Sequence, residues 1–236
     1  MLNFNHSSIS IGGAFMKIDS SDNVILYHGS TGIIEPKYGE GAKDNDNGVG
    51  FYCTENIEMA KEWSCKTGEV GYVNKYKVNV KGLSILNLKY KNTNDLLLWY
   101  YILIQNRTFN IQNGSLQERA VDFLKEKYSD INYEGYDIIE GFRADDSYFM
   151  YAQDFLQNSI STDKLALEMS VGKLGRQVVL KSKRSFDRIK FLGVEKSDYS
   201  YVKRYFSRDK RAREDYRSYV DRGNTFMIDI LRKDGF

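Results

Sequence analysis

The chain has 236 residues, of which 42% are hydrophobic, 28% charged and 14% aromatic, with a formal net charge of +2. That is enough for one domain with a sizeable core, or a domain with a helical extension, and it excludes a disordered or collagen-like chain. No stretch of about 18 uncharged apolar residues occurs, which excludes a membrane-spanning helix.

The start, MLNFNHSSISIGGAF, carries no basic region ahead of an apolar run, so no signal peptide is expected. Residues 1–21 read as a loose N-terminal arm with Gly12-Gly13 as a break. The two cysteines, Cys53 and Cys65, make no disulfide framework and suit a reducing cytosol. With only His6 and His28 beside them, a zinc site built on imidazole and thiolate is not expected.

Val24 to Tyr27 is the first strand, and it hands over to His28-Gly29-Ser30, a strand-end site for a polar ligand. From Gly32 to Asn47 the chain is dense in Gly, Asp, Asn and Lys and holds its only proline, Pro36, which predicts a mobile surface loop of low chemical content. Gly48 and Gly50 open a strand carrying Phe51 and Tyr52. Asn56 then caps a helix on which Ile57, Ala60 and Trp63 recur every third residue. Tyr52 and Trp63 stand eleven positions apart, a spacing that lets two aromatic faces flank one flat ring across a strand-to-helix turn. Cys53, next to Tyr52 on the strand, faces the other way and reads as a small buried hydrophobe.

Gly71 to Val80 alternates as a half-buried strand, and Leu83 to Leu88 likewise. Thr93 or Asn94 begins an apolar core helix running from Asp95 to Gln105. Ser115 with Glu118 makes a capping box for a second helix through Tyr128. Tyr136 to Glu140 is a short strand that runs into Gly141-Phe142-Arg143-Ala144-Asp145-Asp146-Ser147. This string has two readings: Asp146 or Ser147 caps the next helix while Asp145 pairs with Arg143, or the cluster lines a cleft in which Arg143 meets phosphate and Asp145 orients a ribose or an acceptor. After a helix near Ser161 and breaks at Gly172 and Gly175, Arg176 to Leu180 is a strand, with Ile189 to Val194 as a hairpin partner.

The charge is uneven. Residues 181–236 hold 16 Lys plus Arg against 9 Asp plus Glu, a net of +7, leaving −5 for residues 1–180. The stretch from Asp198 to Arg222 mixes Lys203, Arg204, Arg208, Lys210, Arg211 and Arg213 with Tyr205, Phe206, Tyr216 and Tyr219. It reads as a solvated helix face, a docking surface for an acidic protein, or a surface for RNA or DNA.

The HGS of residues 28–30 and the GVGFY of residues 48–52 resemble the NAD-binding half of the ADP-ribosyltransferase superfamily, and the aromatic spacing is similar to that of poly-ADP-ribose polymerases and diphtheria toxin. Over residues 22–192 the chain is similar to a bacterial family of that superfamily long catalogued as a domain of unknown function. The resemblance implies an α+β fold with a split β-sheet core flanked by helices over 22–195, followed by a basic helical extension over 196–236. It also implies a cytoplasmic mono-ADP-ribosyltransferase using NAD as co-substrate and no metal. His28 would bond the adenosine-side ribose, the Gly29 backbone would meet the nicotinamide amide with Ser30 assisting, and Tyr52 and Trp63 would stack on nicotinamide.

Polymerases have Glu at the head of a late strand, where this chain has Gln177. A carboxylate there can counter the charge of an oxocarbenium-like state, whereas an amide can only bond a hydroxyl. Ala60 stands where polymerases have a serine. The resembling family implies a toxin or phage-defence effector with an antitoxin partner. Two alternatives are an NAD- or nucleotide-binding module without transfer, and a same-fold RNA 2′-phosphotransferase using Arg143, Arg176 and the basic end.

Overall fold

The protein is described by a computed structural model, which covers residues 16–65, 67–88, 92–144, 146–171, 176–218 and 220–236. The expected arm with Gly12-Gly13, Asp145, and the breaks at Gly172 and Gly175 lie outside the described residues.

In chain order the described elements are β1 (Asn23–Ser30), β2 (Phe51–Cys53), α1 (Ile57–Ser64), β3 (Tyr72–Asn79), β4 (Ile85–Leu88), α2 (Thr93–Asn106), α3 (Leu116–Lys127), β5 (Ile138–Phe142), α4 (Asp146–Leu156), α5 (Thr162–Val171), β6 (Arg176–Leu180), α6 (Lys183–Phe186), β7 (Ile189–Lys196), α7 (Ser200–Ser218) and α8 (Met227–Lys233). The strands form two open sheets, β1-β3-β7 and β2-β6-β5-β4, so the architecture is α+β. All pairs are antiparallel except β4 with β5. An isolated bridge between Tyr27 and Thr54 joins β1 of the first sheet to the residue following β2 of the second.

The sheets form because alternate residues bury on facing surfaces. Val24, Leu26, Tyr76 and Val78 of the first sheet meet Phe51, Cys53, Ile138, Val178 and Leu180 of the second in one core cluster. The opposite face of the second sheet, with Leu88 and Ile139, packs on a larger helical cluster drawn from α2, α3, α4, α5 and α8. Caps fix the helix starts. Asn56 Oδ1 accepts from the Glu58 and Met59 amides at 3.0 and 3.4 Å, Asn92 Oδ1 from Asp95 at 3.1 Å, and Ser115 Oγ from Glu118 at 3.3 Å.

Four expectations are corrected. β1 runs through His28-Gly29-Ser30 instead of ending before them, because those residues continue the ladder to Asn74, Val73 and Tyr72. β7 pairs with β3 and not with β6. The turn expected between β6 and β7 is the short helix α6, capped by Ser182, which carries the chain from one sheet to the other. The end of the loop from Gly32 is not a surface feature, since Asp46 and Asn47 are 6% and 3% exposed.

The C-terminal stretch is helical and built into the body of the protein. Tyr216, Met227, Ile230 and Leu231 belong to the helical core cluster, and Tyr216 stacks on Tyr151 with ring centroids 4.0 Å apart. Among the described residues no helix is long and apolar enough to cross a membrane.

Candidate functional site

The site is built where β1 crosses the end of β2. His28 lies on the same side of β1 as Leu26, with its ring centroid 4.7 Å from that of Phe51. Its Nδ1 is 2.7 Å from the main-chain carbonyl of Tyr52. A carbonyl only accepts, so Nδ1 carries the proton. Burial pushes the imidazole pKa below its ordinary 6.5 although the bond to Tyr52 opposes that shift. The ring is therefore neutral at pH 7, and Nε2 is left as an acceptor.

Tyr52 leaves β2 on the face opposite Phe51 and Cys53. Its hydroxyl donates to the Gly48 carbonyl at 2.6 Å and accepts from the Asn47 amide at 3.1 Å. Burial pushes its pKa far up, so the phenol is a fixed neutral group. Gly48 has φ of +70°, the left-handed turn that brings its carbonyl round to the hydroxyl. Tyr52 pairs with Val179, and Gln177 stands two residues along β6, so phenol and carboxamide project from one face of the sheet as diagonal neighbours, with Cα atoms about 7–8 Å apart.

Gln177 is 2% exposed. Its Nε2 donates to Asp46 Oδ2 at 3.2 Å and to the Phe142 carbonyl at 3.3 Å. Asp46 also accepts from the Ala144 amide at 2.8 Å and lies 3.4 Å from Arg107. Burial raises the Asp46 pKa, against the lowering by the Ala144 amide, Arg107 and Arg143. Arg143 holds its guanidinium over the Trp63 ring at 4.7 Å from the centroid, a cation–π contact that occupies a face of the indole. Its charge also acts on Glu62, one position before Trp63.

The structure thus links His28 to Tyr52 through the main chain, Tyr52 to the 46–48 loop, that loop to Gln177, and Arg143 to both Asp46 and Trp63. The imidazole lies against the face of β2 that carries Phe51, and the phenol leaves on the other. Ser30 turns elsewhere: its hydroxyl donates to the Gly32 carbonyl at 2.5 Å and accepts from Asn74 at 3.0 Å. Gly29 is glycine for the sake of α1, because a Cβ there would sit 2.0 Å from the Ala60 carbonyl oxygen and 2.6 Å from the Ser64 amide nitrogen. Cys53 is fully buried with its pKa raised by burial, which leaves the thiol protonated.

Sequence reasoning passed over Asp46, Asn74 and Arg107. Asn74 is fully buried, donating to Ser30 Oγ and the Gly32 carbonyl at 3.0 Å each while accepting from the Ile34 amide at 3.0 Å. It pins the chain that leaves β1. Its one signal was an amide inside an alternating strand. Asp46 had none, being one polar residue among many in a loop.

A cavity of about 190 Å³ lined by Tyr27, Ile57, Val73, Lys75 and Gly193–Glu195 opens beyond the outer face of β1 and includes none of His28, Tyr52, Trp63 or Gln177. Among the described residues no group of three or more His, Cys, Asp or Glu could hold a metal ion. The cofactor-competent groups are instead the Nε2 acceptor of His28, the Tyr52 ring, Gln177 and the cationic Arg143.

Comparison with curated proteins and with solved structures gives no match. A family model described as "Protein of unknown function (DUF3990)" matches residues 24–191, a stretch from β1 into β7 that takes in both sheets and all of the site residues above. The chain belongs to the DUF3990 family.

Proposed function

We propose that the protein is an NAD-dependent mono-ADP-ribosyltransferase. The observation that carries the reading is the bond from His28 Nδ1 to the Tyr52 carbonyl. It ties the HGS strand to the GVGFY strand and fixes a neutral imidazole whose remaining nitrogen can only accept, as a ribose hydroxyl requires. Tyr52 and Gln177 on one sheet face, with Arg143 over Trp63, supply an aromatic surface, an amide and a cation suited to a dinucleotide's ring, sugar and phosphates. Transfer breaks the bond between ribose and nicotinamide, and its oxocarbenium-like state is stabilised chiefly by positioning.

The acceptor class favoured by α7 is nucleic acid, because Lys203, Arg211 and Arg217 stay exposed on it. Arg204 and Arg208 contribute less, being engaged by Glu58 and Glu62 at 3.1 and 2.9 Å. The expected role as an effector held by an antitoxin belongs to the same proposal.

A second reading, NAD binding without transfer, is favoured by the neutral carboxamide of Gln177 where a carboxylate would counter charge. Incubating the protein with labelled NAD and cell lysate, and separating protein from nucleic acid, tests both. Label in nucleic acid, lost in His28→Ala, is the expected result. NAD affinity without nicotinamide release selects the binding module, and absence of affinity ends both readings.

A further inference from the structure

The geometry points to Asp46 as a positioning residue that sets the hydrogen-bonding polarity of Gln177 so that its carboxamide presents only an acceptor; this rests on the transferase reading above. The two partners of Nε2, the Asp46 carboxylate and the Phe142 carbonyl, are both acceptors. They fix which end of the amide is nitrogen, and they consume both of its protons. Oε1 is left as the acceptor end. A sugar hydroxyl meeting it would donate, just as it would to a carboxylate.

The negative charge of the site then stands one residue behind the amide, on Asp46. That carboxylate is held by the Ala144 amide and by Arg107 at the C-terminal end of α2, with Arg143 acting from the end of β5. The other titratable groups around it are the Tyr52 phenol and, beyond Asn47, the pair of Lys181 with Glu134, whose charged atoms lie 3.0 Å apart. A carboxylate at position 177 would sit about 3 Å from Asp46, where two like charges do not both ionise. Glutamine at the head of β6 is therefore the partner that Asp46 requires, and its presence is not a loss of function.

The test uses the full chain as wild type, Asp46→Asn, Gln177→Glu and the double variant Asp46→Asn/Gln177→Glu, which exchanges acid and amide. Nicotinamide release (kcat and KM) and Tm are measured between about pH 5.5 and pH 8. In Gln177→Glu, kcat/KM at the upper pH should fall about tenfold and recover toward acid as the two carboxylates share a proton. The double variant should return to within about threefold of wild type with that acid preference gone. A Gln177→Glu protein as active as wild type across the range, or a double variant no better than either single one, would overturn the inference. If wild type releases no nicotinamide, the transferase reading fails and Tm alone decides. Relative to wild type, Gln177→Glu should then lose Tm as pH rises, and the double variant should not. A pH-independent difference would refute the pairing.

Discussion

The imidazole of His28 donates its Nδ1 proton to the main-chain carbonyl of Tyr52 at 2.7 Å. This bond fastens an edge strand of one sheet to a three-residue strand of the other. A strand that short has little ladder of its own, so its position depends on what grips it from outside.

The burial of the same imidazole makes stability depend on pH. The folded-state pKa of His28 lies below 6.5 because of burial, so the unfolded chain takes up the proton first. Stability should be complete above about pH 6.5 and should fall as pH drops through that value toward the lower folded pKa. Urea unfolding at a series of pH values checks this. His28→Asn, whose side-chain amide can still donate to Tyr52, should abolish this part of the slope, and an unchanged slope would assign it to other groups.

Gly29→Ala should be among the most damaging single substitutions in β1. The new Cβ would meet main-chain atoms of α1 at 2.0 and 2.6 Å, and backbone cannot step aside as a side chain can. A loss of about 3 kcal/mol or more is expected. Gly32→Ala, where nothing lies within 4 Å, should change stability by less than about 0.5 kcal/mol. Chemical denaturation of the two proteins side by side makes the comparison.

Asp137 should prove to be a structural acid. It is 3% exposed and accepts from the Ser84 amide and hydroxyl, the Ser182 hydroxyl and Arg184 at 2.8, 3.0, 2.5 and 3.1 Å. Burial pushes its pKa up, but these partners, Ser182 foremost, bring it below the usual carboxylate value. Asp137→Ala should cost about 3 kcal/mol. The wild-type share should be present above pH 3.8 and vanish as pH falls through the lower folded value. A thermal melt series from neutral to acid pH reads both effects.

Arg208 and Glu62 should couple measurably, because both side chains are largely covered, at 16% and 17% exposure. A double-mutant cycle on Arg208→Ala and Glu62→Ala should return about 1–2 kcal/mol. The exposed pair Lys183 and Asp187 should return less than about 0.5 kcal/mol.

Much of the scaffold was legible in the chain. An unbroken apolar run located β1 and apolar alternation located β3, and Asn56 and Ser115 marked their helices because a cap is a local matter between a side chain and the next few amides. What failed to show was pairing at a distance. Ile189 to Lys196 carries the same strand signal whichever neighbour it takes, and only the crossing made by α6 assigns it to β3. Gly29 was legible as a glycine but not in its reason, since the obstructing carbonyl belongs to a residue thirty-one positions later. Asp46 was hidden for a similar cause: its partners, Arg107, Ala144 and Gln177, are 61, 98 and 131 residues away.

The C-terminal helices bear on where this family's domain begins and ends as a physical object. The family match stops at 191, yet the segment after it provides Arg204 and Arg208 for Glu58 and Glu62, which stand one turn apart on α1. It also plugs the helical cluster with Tyr216, Met227, Ile230 and Leu231. A chain cut at the match boundary would leave Glu62 without Arg208 on the helix that braces Gly29, and would open a hole in the helical core. Sequence similarity therefore outlines a shorter unit than the packed one, and the last forty-five residues divide their bracing between α1, which backs the strand that holds His28, and the helical core.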